Sequence, residues 1–442
     1  MNSTLKSMLI AAAAITSVSA FAQDKATLDL LVKKGLITAE ERAKTLQSAA
    51  ATKTESGMDR VFIKEAGANR LTFSGRIQGQ WEAAAYSQTT GGVETQAVDL
   101  NNVMMRRLYL GAKADVGAGF SGELVWNFGD NSQGTSGVRA GAADKAVFTY
   151  ESDLGKFDFG YQKVQFGQEE NTSSSALYTV ERSMVTRYWA ESHNGRRLGF
   201  GARHVGLHYS NKVVIGEGGP GTLAYGASIV DAVQGYNSTG VNDYGYYGNV
   251  SFDWKPLGTT IGINYGLAPQ GGTLTNTGGS LDMVEGFNPY FKYVTGDLTV
   301  LAEYITTSVD ASGSLGTTEV GVDRKPSGYN ITLAYKLSEN LEAVARYSAL
   351  DTDGRGQQAT DGFRDINIAP FSGTANITYD KSNSIFVGLN YYFNKNNAKI
   401  QLGYEKAKLE GRISSWSSSA AQLAPADHAD ADIFRLQAQV LF

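Results

Sequence analysis

Six basic side chains mark where this chain could act on a charged solute. Lys163, Arg182 and Arg187 lie in one stretch, and Arg76, Arg107 and Arg203 flank it. Guanidinium and ammonium groups around a water-filled passage favour anions, because rings of Arg or Lys set the sign of the ion that enters. The stretch 167–195 also carries Glu169, Glu170, Glu181, Glu191 and His193, a mixture that is comfortable in water and costly in lipid. Other chemistry finds little to work with. Cysteine is absent, which removes thiol, disulfide and zinc-thiolate chemistry. Of the four histidines only His204 and His208 are closely spaced, and on a strand positions i and i+4 stand too far apart to share an ion. No metal and no cofactor are expected. His208-Tyr209-Ser210-Asn211 invites a membrane phospholipase reading but lacks a convincing nucleophile context. Asp351-Thr352-Asp353-Gly354 opens like a calcium loop without the later bidentate glutamate, and is read as part of a solvated outer loop. Gly199-Phe200-Gly201 is read as strand glycines, since no helix follows to make a phosphate cradle.

What must position these residues is legible in the composition. The 442 residues include 51 Gly, 23 Tyr and 19 Phe but only 7 Pro, and 39 basic residues face 44 acidic ones for a net charge of −5. So aromatic a chain with so small a net charge is not disordered, and its slight acidity gives no support to nucleic-acid binding. No later segment approaches the roughly 18 consecutive apolar residues of a membrane helix. At the N-terminus Lys6, the apolar run from Met8 to Val18 and Ala20-Phe21-Ala22 form a signal peptide over 1–22, so the protein is exported. Over 23–52 the pattern turns helical: Leu28, Leu31 and Val32 share a face, Gly35 caps one helix, and Thr38 with Glu41 opens a second. This coiled-coil-like periplasmic extension needs a partner for its apolar faces, and 53–68 reads as a polar linker.

From 69 to 442 the period drops to two. RLTFSGRIQGQWEAAAY places Leu71, Phe73, Ile77 and Trp81 on one face and Arg76, Gln78 and Gln80 on the other, and about sixteen such segments follow one another to the C-terminus. Their connections alternate between short turns (DVGAG, ESDLGK, KPLG, VTGD, KLSEN, NKNNAK) and long polar stretches, among them 87–100, 167–195 and 409–430. Only Ser210–Gly221 is longer than this rhythm allows. The fold class expected is therefore all-β: a transmembrane up-and-down antiparallel barrel of about sixteen strands, with tight periplasmic turns, longer outer loops and a short N-terminal helical extension. Its apolar face meets outer-membrane lipid, its polar face lines water, and QAQVLF closes on a terminal Phe442 as outer-membrane strands do.

The stretch after the fifth strand is the exception to regular alternation. Phe157, Phe159 and Tyr161 take the lipid phase, so continuing the strand would drive Lys163 into hydrocarbon, at a cost of roughly 2–4 kcal/mol. Pairing is expected to stop near Gln162 and the chain to turn into the lumen, which puts Lys163, Arg182 and Arg187 at the constriction beside Arg76, Arg107 and Arg203. Exchanging Arg182 and Arg187 for Glu should then shift ion selectivity more than exchanging Arg355 and Arg364 in an outer loop. Alternation places nearly equal numbers of bases and acids on the lumen face, so a preference for anions stays open on this count.

FSGRIQGQW around Arg76, MMRRLYLGAKADVGAGFSGELVWNFG with Arg106 and Arg107, and FDFGYQKVQFGQEENTSSSALYTVERS resemble the phosphate-selective porin O and P family. In the last block Gly160, Gln162, Lys163, Phe166, Gly167, Glu169, Ser173, Ser174, Glu181 and Arg182 stand where the family's pattern has them, and LVKKGLITAEE is similar to its helical extension. The resemblance is specific to about Arg197 and architectural beyond. It implies a sixteen-stranded homotrimeric pore in the Gram-negative outer membrane, its third long loop folded inward. The function expected is passive diffusion of small hydrophilic solutes and ions, with inorganic anions such as phosphate a candidate class. Two alternatives from other classes are a barrel enzyme of phospholipase type and an exported adhesin or structural β protein.

Overall fold

The computed structural model describes residues 61–64, 70–129, 142–190, 197–216, 218–231, 244–270, 282–309, 323–358, 378–416 and 421–442, which belong to one compact unit beginning at Arg60. The expected signal peptide 1–22 and helical extension 23–52 lie outside the described residues, as do Glu191, His193 and Arg364. The strands in chain order are β1 (Val61–Lys64), β2 (Arg70–Thr90), β3 (Val93–Gly117), β4 (Phe120–Asn127), β5 (Ala142–Ser152) and β6 (Gly155–Lys163). Two short helices follow, α1 (Gln168–Asn171) and α2 (Met184–Ala190). Then come β7 (Arg203–Ile215), β8 (Gly221–Asp231), β9 (Tyr244–Trp254), β10 (Thr259–Gln270), β11 (Asp282–Thr295) and β12 (Leu298–Val309). The chain ends with β13 (Ser327–Lys336), β14 (Leu341–Asp351), β15 (Gln357–Gln358), β16 (Thr378–Asn394), β17 (Ala398–Trp416) and β18 (Ala421–Leu441).

Among the described residues, sixteen strands (all except β1 and β15) pair antiparallel with their neighbours, and β18 returns to β2 to close a barrel. Closure follows from lipid chemistry: an open edge would leave backbone N–H and C=O groups without partners in hydrocarbon. The two faces follow the period-two pattern. Phe159, Ile229, Ile263, Ile331, Ile385, Leu402 and Leu436 stand exposed on the outside, whereas Asn264, Asn330, Arg346, Gln401, Glu405, Arg435 and Gln437 are buried within.

The connections differ from expectation where strands run on past the membrane. The stretch 87–100 is a hairpin turning at Gly91-Gly92, both with positive φ, because β2 and β3 stay paired up to Thr90 and Val93. β17 and β18 extend in the same way into 409–430. The irregular Ser210–Gly221 also shortens: β7 runs to Ile215, and only 216–220 connects it to β8, with the Gly219 N–H donating to the Gly216 carbonyl at 3.0 Å. The sixth barrel strand, expected from Leu198, starts at Arg203. Gly199 is not a strand glycine but sits in a turn at φ 67°, because Leu198 and Phe200 are drawn into an apolar cluster with Phe166, Tyr188 and Trp189. Within the stretch read as a linker, Val61–Lys64 pairs with Phe73–Arg70; the sequence Val-Phe-Ile, with two β-branched residues, suits a strand, which continues along the edge of β2 beyond the end of β18. The turn at 351–354 is solvated on one side only: Asp353 is exposed, whereas Thr352 and Gly354 are buried, where the Asp380 carboxylate accepts from Thr352 Oγ1 at 2.8 Å and from the Gly354 N–H at 2.6 Å.

The closing seam ends at Phe442. Its N–H and C=O pair with Gly75, and its ring lies over Gly75, where any Cβ would sit 2.2 Å from Phe442 Cζ. Gly75→Val should therefore displace the terminal ring and cost about 1–3 kcal/mol, as overpacking does. The check is the temperature at which the folded barrel loses its compact electrophoretic mobility, which should fall. An unchanged temperature would show that the ring is free to move aside.

Candidate functional site

β6 ends at Lys163 and the chain turns into the ring, as the phase of that lysine demands. The segment from Val164 to Ala202 makes its contacts with strands on opposite arcs of the wall. Ser174 Oγ accepts from Arg76 on β2, the Leu177 carbonyl accepts from Lys399 Nζ on β17 (2.9 Å), and the Tyr178 carbonyl accepts from Asn390 on β16 (2.9 Å). Its upper part is apolar: Phe166, Val185, Tyr188, Trp189 and Phe200 pack on Val230, Tyr247, Ile305 and Leu350 of the wall. Burial of these large side chains, at about 1.5–3 kcal/mol each, is what keeps the segment inside.

Below this cluster the contacts are ionic. Arg106 and Arg107 both meet Glu181, with Arg106 Nε at 2.5 Å from its Oε1. Two successive residues face inward because a bulge in the β2–β3 pairing skips Arg106, between Gln78↔Arg107 and Gly79↔Met105. Alternation had placed only Arg107 inside. Arg346 joins Glu169 (3.1 Å) to Glu405 (3.1 Å), and Arg435 joins Glu405 (2.9 Å) to Glu82 across the seam. These groups are almost fully buried and matched in charge.

A second group is partly open and not matched. Lys163 Nζ meets the Glu170 carboxylate and donates to its carbonyl at 2.6 Å; Arg182 Nε lies 3.0 Å from Glu170 Oε2. Arg203, opposite Lys163 in the β6–β7 pairing, holds Asp144 at 2.6 Å, and Arg76 interacts electrostatically with Asp144 and Arg182. Four cations thus surround two carboxylates, and the side chains of Lys163 and Arg203 are 20% and 24% exposed. Burial alone would raise the affinity of Glu170 for a proton, but Arg182, then Lys163 and Arg203, outweigh it and hold this carboxyl below the usual range.

The six residues named from sequence therefore divide. Arg76, Lys163, Arg182 and Arg203 come together; Arg107 belongs to the buried Glu181 network; Arg187 lies buried in α2. Arg182 carries structure as well as charge, since its guanidinium donates to the carbonyls of Glu169, Glu170 and Thr172. Arg355, taken as a solvated outer-loop residue, is buried with its guanidinium 3.0 Å from Tyr188 Oη and over that ring. Arg203 reaches the group from the first position of β7, not by alternation: the inner positions of that strand are His204 and His208. Asp144 was missed because it sits at another bulge, in β5 against β4, within a stretch read as loop.

Asp158, His208 and Ser228 lie in one row across β6, β7 and β8, the residue types of a hydrolytic triad. The His208 ring meets Ser228 Oγ at 2.9 Å, but the Asp158 carboxylate is taken by Thr149, Lys156 and Gln162. His204 turns its Nδ1 to the Asp231 carbonyl (3.1 Å) rather than to His208.

A closed sixteen-stranded ring with an apolar exterior, a polar interior and a charged segment folded inside is a porin. The chain belongs to the phosphate-selective porin O and P family, whose model matches residues 74–442. It is an outer-membrane porin of the Gram-negative type, forming a water-filled channel through which small hydrophilic solutes diffuse. Similar solved structures include the outer membrane channel DcaP of Acinetobacter baumannii (14% identity, TM-score 0.54, 86% of this chain and 99% of that one). The anion-selective porin from Comamonas acidovorans is 12% identical with TM-score 0.53, over 85% of this chain and 100% of that one. Salmonella typhi OmpF, in complex with daunomycin, is 15% identical with TM-score 0.52, over 85% and 100%. At these identities the likeness is one of fold. No curated protein matches the chain.

Removing the carboxylate shared by Arg106 and Arg107 should loosen the segment from the wall. Glu181→Gln leaves two buried guanidiniums without their anion and is expected to destabilise the folded barrel by about 3–5 kcal/mol. Urea unfolding followed by tryptophan fluorescence checks this, and a loss under about 1 kcal/mol would mean the pair is solvated as surface ion pairs are.

Proposed function

We propose that the channel prefers anions and that Arg76, Lys163, Arg182 and Arg203 form its filter, with Asp144 and Glu170 as the acids that hold them in place. The observation that carries this reading is the imbalance of charge: four cations to two carboxylates at a partly open site, against matched charges where the segment is buried. Low-dielectric walls concentrate the field of such a surplus along the passage. The family's name points to phosphate as the solute, and an inorganic oxyanion suits a cluster of guanidinium and ammonium donors. Arg107 and Arg187, named with these four from sequence, act on the filter through the fold of the segment.

The test replaces charge where it is partly exposed and leaves the buried ion pairs of Glu181 and Glu405 in place. In a planar bilayer with a salt gradient, Arg76→Gln with Arg203→Gln should lower the anion-to-cation permeability ratio by about tenfold, the low end of what focused fields do to local ion concentration. Lys381→Gln with Lys406→Gln, on exposed side chains paired with Asp351 and Asp432, should change it little. Equal shifts from both pairs, or none from the first, would refute the filter.

We further propose that the porin assembles as a homotrimer within outer-membrane lipid, as one solved form of Vibrio cholerae OmpT with this fold does (13% identity, TM-score 0.50). Phe159, Ile385 and Leu402, on the exposed apolar belt, would divide between acyl chains and neighbouring copies. Native mass spectrometry after extraction in mild detergent should give three copies. A monomer alone would rule the trimer out.

A further inference from the structure

Among the buried carboxylates of the lumen, Glu303 on β12 is held differently from those that anchor the segment. Glu82, Glu170, Glu181 and Glu405 each meet a guanidinium or an ammonium, whereas the partners of Glu303 are neutral donors. Its Oε2 accepts from the backbone N–H of Gln168 at 2.7 Å and from Asn288 Nδ2 at 3.1 Å. Its Oε1 accepts from Asn330 Nδ2 at 2.7 Å, from Thr186 Oγ1 at 3.2 Å and from the backbone N–H of Glu169 at 3.3 Å. Three of these five bonds come from the inward segment and two from the wall strands on either side, β11 and β13. The two backbone donors open α1, the turn that carries Glu170.

We propose that Glu303 is a positioning residue for ion selectivity: by fixing the first turn of α1 to β12 it sets where Glu170 stands, and so where Lys163 and Arg182 meet the passage. Glu170 lies one residue beyond the second backbone donor, and it is the group to which Lys163 Nζ and Arg182 Nε are bound. The same turn is tied from its other side, where Glu169 Oε2 accepts from the Ser183 N–H (2.9 Å), Ser183 Oγ (2.7 Å) and Thr186 Oγ1 (2.6 Å). Thr186 Oγ1 therefore stands between the two carboxylates with one proton to donate. An acid at Glu303 adds negative charge to an anion channel, the wrong sign for attraction and the right sign for gripping two N–H groups.

The two roles of that charge predict opposite outcomes. If Glu303 acts only as a charge near the pore, Glu303→Gln removes a repulsion and raises the preference for anions. If it positions the turn, the amide cannot accept at both oxygens as the carboxylate does, the turn slips, and the zero-current potential in a salt gradient moves toward the cation side. Glu303→Asp, which keeps the charge and shortens the reach, should move it in the same direction. Both variants are compared at equal yield of heat-resistant folded barrel. The inference rests on reading the basic cluster as the filter, so a second measurement stands apart from selectivity. The chain has no cysteine, and Ser173 is exposed on the segment, so Ser173→Cys is a unique label for a neutral thiol reagent. Its rate of modification should change when Glu303→Gln is added. An unchanged rate, or a potential that moves toward stronger anion preference, overturns the positioning role. A changed rate with no effect of Arg76→Gln and Arg203→Gln on selectivity would sustain it and sink the filter instead.

Discussion

Everything in this barrel follows from one requirement, that no backbone polar group be left unpaired in hydrocarbon. A sheet meets it only by closing on itself, and sixteen strands close into a ring too wide for wall side chains to fill. The interior must then be polar, because it is wet, and a length of chain can fold into it without leaving water. Lys163 marks the point where the requirement switches from lipid to lumen. One residue earlier the strand pairs in the ordinary way; after Val164, whose N–H still donates to the Ala202 carbonyl, the chain belongs to the interior and is met by wall side chains such as Asn288 and Glu303.

Inside, charge is used in two ways. Along one arc Glu82, Arg435, Glu405, Arg346 and Glu169 alternate in sign from the seam to the inward segment, nearly sealed from water. Such a chain contributes little net stability, since desolvation offsets much of the attraction, but removing any member strands its neighbours. That makes it a device for location: the segment can sit in one place only. The group around Lys163 and Arg203 is the counterpart, partly open and with more cations than acids. The matched network holds still while the unmatched one faces the passage.

The number of strands, their faces, the six short turns and the exit at Lys163 could all be read from the sequence. Each depends on the period of two, which is set by covalent geometry within a few residues. The failures were of one kind. Connections at 87–100 and 409–430 looked like loops because polar residues replace apolar ones once strands leave the membrane, although pairing continues. Arg106 and Asp144 were lost to bulges, which add a residue to one strand and cannot be seen without its partner. Leu198 and Phe200 fit a strand as well as they fit the apolar cluster that took them.

The sequence by itself thus determined the barrel, the environment of each face and the stretch that must leave the wall, because lipid and water sort side chains locally and repeatedly. It also named four residues that meet in the filter we propose: Arg76, Lys163, Arg182 and Arg203. Only the tertiary structure decided what each charge does. Arg182 ties down carbonyls of its own segment, Arg107 shares Glu181 with Arg106, Arg355 packs on Tyr188, and Glu303 grips the first turn of α1. The reason is range: an ion pair joins residues far apart in sequence, and its partner is chosen by the register of the whole ring.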